Sequence, residues 1–201
     1  MCRLTAYLGL PTLAADLVTR PSRSVIRQSF DARERLGGSS GMVYDQGNLN
    51  ADGFGLGWYS AETDGKEDNP DNLSPCVFTD VGPAWGNRNL HRLCQKIISP
   101  IIFAHVRAAG PGMSVNEDAC HPFEWGRYLF MHNGQVAKFG KIRRKLMDSL
   151  SQCAYDHCIA NSASDSALSF ALFIDQLEDP FAPISPQELL SAFFTALITR
   201  A

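Results

Sequence analysis

The run Gly53-Phe54-Gly55-Leu56-Gly57-Trp58-Tyr59 sets the tightest limit on the fold. It reads as a glycine-punctuated strand, where missing side chains let another backbone or a ligand come close, and so as a candidate pocket wall. Other short apolar segments supply neighbours for it. Arg3 to Leu8 reads as a strand that begins almost at the terminus and ends in a turn at Gly9 and Pro11. Ile101 to Val106 and Tyr128 to Met131 read as buried strands of the central sheet.

Helical signals are concentrated later in the chain. Ser22 or Ser24 caps a brief helix through Phe30, and Asn89 to Ile97 forms another. A basic amphipathic helix follows near Lys141 to Leu150, then one at Asp165 to Leu177, and Ser185-Pro186 opens a last helix from Gln187 onward. Gly37 to Gly41 and the polar stretch from Ala61 to Pro75 read as loops. Strands first and helices later predict an α+β layered architecture.

The length of 201 residues, 45% hydrophobic and 19% charged, suits one globular domain with a packed core. A net charge of −3 gives no electrostatic reason to expect a nucleic-acid partner, and the basic cluster from Lys138 to Lys145 reads as the solvated face of a helix. No stretch approaches the roughly 18 uninterrupted apolar residues needed to cross a bilayer. Six cysteines are too few for a disulfide scaffold, and no signal-like segment leads the chain, so a reducing cytoplasm is expected. The apolar last helix ends at Thr199-Arg200-Ala201 without a glycine cap or polar tail, as an incomplete chain would.

Four segments could carry chemistry. Cys2 becomes the first residue when methionine aminopeptidase removes Met1. It then holds a nucleophilic thiol and an α-amine of pKa about 7.7 to 8.0 that can shuttle the proton. Its other reading is packing under the first strand. Phe130-Met131-His132-Asn133-Gly134 is a strand running into an Asn-Gly turn. That turn can also present an amide and a backbone N–H as neutral oxyanion donors. Arg107 stands where an apolar strand ends, placed to grip a carboxylate. Asp165, in Ser164-Asp165-Ser166, either caps a helix or pairs with an α-ammonium. His105 and His121 read as structural hydrogen-bonding residues. Cys153, His157 and Cys158 lack a matching second pair for zinc, so no metal is expected.

Together these segments resemble the class II glutamine amidotransferases, a family of N-terminal-nucleophile hydrolases. Met1-Cys2-Arg3 is similar to the family's processed start, and His105-Val106-Arg107 to its arginine motif. His132-Asn133-Gly134 is similar to its oxyanion motif and Ser164-Asp165-Ser166 to its aspartate motif, all four in the family's order. The stretches from Asn50 to Tyr59 and from Cys120 to Phe123 resemble the branch that holds the amidase of glutathione degradation and the hydrolase of ergothioneine synthesis. The opening through Asp31-Ala32-Arg33-Glu34-Arg35-Leu36 resembles the glutathione-degrading subunit most.

The resemblance implies an αββα sandwich of two antiparallel sheets between helical layers, spanning residues 1–201 as a single domain and incomplete after Ala201. It implies Cys2 as nucleophile and, through its amine, base. Asn133 and Gly134 would stabilise the oxyanion, Arg107 bind the α-carboxylate and Asp165 the α-ammonium of a small γ-glutamyl substrate. The intermediate would be a γ-glutamyl thioester cleaved by water, with no cofactor, and a peptidase-like partner subunit is implied for the glutathione-degrading branch. Gly110 and Ala167 stand near places where many members carry threonine and glutamate, which marks a carboxylate pocket different in detail. Two alternatives stand beside the amidase: a glutaminase subunit passing ammonia to a partner synthase, and a non-catalytic regulatory member of the fold.

Overall fold

A computed structural model describes residues 2–31, 49–60, 74–110 and 113–198. The loop expected at Gly37 to Gly41, most of the one from Ala61 to Pro75, and the chain end at Thr199 to Ala201 lie outside the described residues.

Four strands form the larger sheet: β1 (Arg3–Leu13), β2 (Phe54–Trp58), β3 (Cys76–Asp80) and β4 (Ile98–Val106), in the order β1-β4-β2-β3 and antiparallel throughout. A smaller antiparallel pair, β5 (Phe123–Trp125) and β6 (Tyr128–Phe130), makes the second sheet. The helices are α1 (Ala14–Val18), α2 (Val25–Gln28), α3 (Arg88–Cys94), α4 (Phe139–Met147), α5 (Gln152–Ala160), α6 (Asp165–Ile174) and α7 (Pro186–Ile198).

Two cores separate these elements into layers. In the first, Ala14, Val18, Val25 and Leu90 of α1 to α3 pack with Phe54, Leu56, Ile102 and Ala104 on one face of the larger sheet. In the second, α4 to α7 pack on β5 and β6 around α6, where Phe130 stacks on Phe170 at 5.1 Å and Tyr128 meets Phe173 edge to face at 5.6 Å. The two sheets meet through the bare face of β2. A Cβ added at Gly55 would collide with the carbonyl oxygen of His121, and one at Gly57 would lie 2.7 Å from Cγ of Pro122. The glycine run therefore lets a second backbone approach, and the α+β sandwich with antiparallel sheets follows from it. Gly53, at φ +113°, supplies the left-handed turn into β2, where a side chain would also strike the Cys120 sulfur.

Several local expectations need correction. β1 does not stop at Gly9 but continues to Leu13, absorbing Gly9 to Pro11 through a register shift between Leu8 and Thr12. The Tyr7 hydroxyl stabilises this irregularity by donating to the Leu10 carbonyl at 2.8 Å. The segment Tyr128–Phe130 is half-buried in the second sheet rather than buried in the central one. Helix starts follow their caps more closely. Ser24 accepts from the Arg27 N–H, Asn87 from Leu90 and Ser164 from Ala167, while Ser185 and Glu188 exchange hydrogen bonds at the start of α7.

Candidate active site

The pairing of Arg3 with Val106 sets Cys2 alongside the chain that leaves β4, so residues 2 and 107 follow one another across the same sheet edge. The Ala108 N–H points at the Cys2 Sγ at 3.4 Å, and the thiol in turn reaches the Ala108 carbonyl at 3.7 Å. Asn133 joins from a distant part of the chain, its Nδ2 donating to the Cys2 carbonyl at 3.0 Å. Arg3 donates to that same oxygen at 3.0 Å. Cys2 is half-buried, whereas Asn133 and Gly134 are exposed, so the turn stands at the open side of the sulfur.

Arg107 is 7% exposed, and two of its nitrogens donate to backbone carbonyls, Nη1 to Asp52 at 3.3 Å and Nη2 to Ser114 at 2.9 Å. Those contacts fix the guanidinium plane at the end of β4. Asp165 is 4% exposed and is the first residue of α6, where Ser164 performs the capping. One carboxylate oxygen of Asp165 accepts from Ser166 N–H and the other from Val136 N–H, each at 2.9 Å. The Asp165 carboxylate thus ties the helix to the chain just beyond Gly134. His132 makes a parallel tie, its Nδ1 lying 2.9 Å from the Ser166 hydroxyl.

Asp52 lies within the Asn50 to Tyr59 stretch, where the resemblance assigns it no role of its own, yet it organises this edge. Its Oδ2 accepts from the Ala109 N–H at 2.8 Å, its N–H donates to the Arg107 carbonyl, and its own carbonyl receives the guanidinium. Only its place just before the glycine run could have drawn attention to it.

Burial raises the thiols of Cys94, Cys120 and Cys158 to about 12, 11 and 11 respectively, which keeps them protonated and unreactive at neutral pH. His105 and His121 are both buried and hydrogen-bonded to each other, the structural role their sequence setting suggested. Among the described residues no group of three His, Cys, Asp or Glu side chains could hold a metal ion, and no helix is long and apolar enough to cross a membrane.

Comparison with known proteins gives a consistent picture. Residues 40–198 match the family described as glutamine amidotransferases class-II. That span includes Arg107, Asn133, Gly134 and Asp165 and begins well after Cys2, which lies outside it. The chain is 41% identical over 179 residues to the probable glutamine amidotransferase DUG3 of Saccharomyces cerevisiae, covering 89% of this chain and 46% of that protein. It is 32% identical over 136 residues to the gamma-glutamyl-hercynylcysteine sulfoxide hydrolase of Mycolicibacterium smegmatis, covering 68% of this chain and 52% of the relative. The chain therefore spans about half the length of the curated relatives it matches. Among solved structures, the glutamine aminotransferase class-II domain protein of Silicibacter pomeroyi shares the fold. Its TM-score is 0.55 and its identity 22%, over 96% of this chain and 61% of that one.

Proposed function

The chain belongs to the class II glutamine amidotransferases, and from that premise we propose that it hydrolyses a γ-glutamyl amide with Cys2 as N-terminal nucleophile. Removal of Met1 frees the α-amine of Cys2. That amine takes the thiol proton as Sγ attacks the γ-carbonyl carbon, and the carbonyl electron pair moves onto oxygen. The Asn133 amide and the Gly134 N–H donate to the oxyanion. Collapse of the intermediate breaks the C–N bond, and the departing amine leaves with the proton held on the Cys2 amine. Water then attacks the γ-glutamyl thioester, giving up a proton to the same amine and releasing glutamate and the free thiol.

Arg107, oriented by two carbonyls, would pair with the substrate α-carboxylate, and Asp165 with its α-ammonium. A carboxylate has about four lone-pair positions, so the two N–H bonds to Asp165 leave acceptor capacity for an ammonium. The observation that carries the reading is the bond from Asn133 to Cys2, across 131 positions of sequence, which brings a neutral donor to the residue bearing the sulfur. The hydrolase relative, named for gamma-glutamyl-hercynylcysteine sulfoxide, supports a γ-glutamyl thiol compound such as glutathione as substrate, and the amidotransferase relative keeps glutamine beside it. A cytoplasmic setting and a protein partner for this chain are part of the same proposal.

Glutamate release from glutathione, glutamine and a γ-glutamyl hercynyl compound tests it. Release from at least one of them that disappears in Cys2→Ala is expected, and undiminished release in that variant would remove Cys2 from the chemistry.

A further inference from the structure

The oxyanion turn hangs between two anchors on one helix. At its start, Nδ1 of His132 lies 2.9 Å from the Ser166 hydroxyl, and past its end the Val136 N–H donates to the Asp165 carboxylate at 2.9 Å. Asn133, Gly134 and Gln135 stand between the two. Among the described residues no backbone–backbone hydrogen bond reaches residues 132 to 135, so side chains decide where this turn sits. The Asn133 amide is placed by its bond to the Cys2 carbonyl at 3.0 Å. The Gly134 N–H is the donor left for the rest of the turn to place.

Ser166 and His132 supply the means. Ser164 already caps α6 by accepting from the Ala167 N–H, so the hydroxyl of Ser166, a residue 9% exposed, is spared for the imidazole. The helix beneath it is firm, because Ala167, Leu168, Phe170 and Ala171 are all fully buried in the second core. The imidazole in turn backs the glycine. A Cβ added at Gly134 would lie 3.0 Å from Nε2 of His132, closer than such atoms ordinarily pack. Only glycine lets the ring come this near, and glycine is also the residue that least restrains its own backbone. The ring that demands a glycine here therefore restores the restraint that a glycine lacks.

We propose that Ser166 and His132 are positioning residues for the second oxyanion donor: the α6 hydroxyl holds the imidazole, and the imidazole braces Gly134 so that its N–H keeps one orientation. Both act through Gly134 rather than on the substrate. Their effect is felt in the transition state, where a donor already in place stabilises the new charge more than one that must be ordered as the charge forms. The bond from Val136 to Asp165 closes the far end of the turn, so the Gly134 peptide is held from both sides. Both roles rest on the reading of Cys2 as nucleophile and Gly134 as oxyanion donor.

Two measurements on the full chain test it. In kinetics, Ser166→Ala should lower kcat by about 10- to 100-fold, the scale of a group misplaced by about 1 Å, with KM changed less than about threefold. His132→Phe keeps a ring beside Gly134 but breaks the bond to Ser166, so its loss should match, and the double variant should lose no more than either single one. An unchanged kcat in Ser166→Ala, a loss confined to KM, or losses that multiply in the double variant overturn the proposal. Nitrogen-15 relaxation of the Gly134 amide gives a readout independent of activity. Its order parameter is expected near about 0.85 in the wild type and below about 0.6 in Ser166→Ala. Equal values in the two proteins, or a wild-type value already below about 0.6, overturn it. If Ser166→Ala does not fold, as judged by circular dichroism, His132→Phe takes its place in both measurements. If the wild-type chain releases no glutamate from any γ-glutamyl compound, the functional reading fails, while the Gly134 amide still decides whether the brace exists.

Discussion

The Asp52 carboxylate accepts the Ala109 N–H at 2.8 Å, and through that bond a residue at the mouth of β2 holds the backbone that lies against the Cys2 sulfur. The link spans 57 positions and joins the turn before the glycine run to the segment after Arg107. Asp52→Ala should loosen residues 108 to 110 and cost about 1 to 3 kcal/mol of stability, the range for losing a partner of a hydrogen bond to a charged group. Denaturant midpoints measure that cost, and an unchanged midpoint would mean the bond contributes nothing to the site.

Asn133→Ala should lower kcat by about 10²- to 10³-fold, the usual effect of removing one oxyanion donor, with a much smaller change in KM. Steady-state kinetics on the best γ-glutamyl substrate separates the two. A rise in KM alone would assign Asn133 to ground-state binding.

Gly55→Ala sets a methyl group against the His121 carbonyl, where the sheets meet. Overpacking of this kind typically costs about 1 to 3 kcal/mol. Because the displaced strand leads toward the Asn133 turn, activity should fall with stability. A thermal melt equal to that of the wild type would contradict the close approach of the two sheets.

The pH dependence of stability follows from the buried imidazoles. His105 is pushed down to about 3 and His157 to about 4, in both cases first by burial, and Arg107 adds to the effect on His105. Below their unfolded value near 6.5 the unfolded chain takes up protons that the folded chain refuses, so stability is full above that pH and falls as pH drops toward 4. For His105 the slope approaches at most about 1.4 kcal/mol per pH unit. Urea titrations from pH 7 to 4 should show the decline, and it should be shallower in His157→Gln, where one of these groups no longer titrates.

How far the sequence discloses this structure depends on the range of the interaction. The bare face of β2 was legible because Gly55 and Gly57 leave a local pattern, and the cap at Ser24, one of two serines the sequence offered, because capping is a local bond; at α6 the cap is Ser164 and not Asp165. The strand at Cys76–Asp80 was missed: it is short, partly exposed and follows a long polar stretch, so its pairing with β2 decides its conformation. The helix at Gln152–Ala160 was also missed, since its apolar residues form only a weak stripe. At the site, Cys2, Arg107, Asn133 and Asp165 stood out as residue types in suggestive settings. Asp52 and the Ser114 carbonyl did not, because a side chain holding a remote backbone group leaves no periodic trace. The orientation of Asp165, with both oxygens already receiving N–H groups, likewise depends on where Val136 arrives.

The central claim is that the mature chain begins with a reactive cysteine. Mass spectrometry of the intact protein, before and after incubation with a glutamine-like electrophile, tests it most directly. The account predicts a chain lacking Met1 that gains one adduct, mapped to Cys2 and prevented by an excess of γ-glutamyl substrate. A retained Met1, or an adduct on Cys76 or Cys153 with Cys2 unmodified, would contradict it.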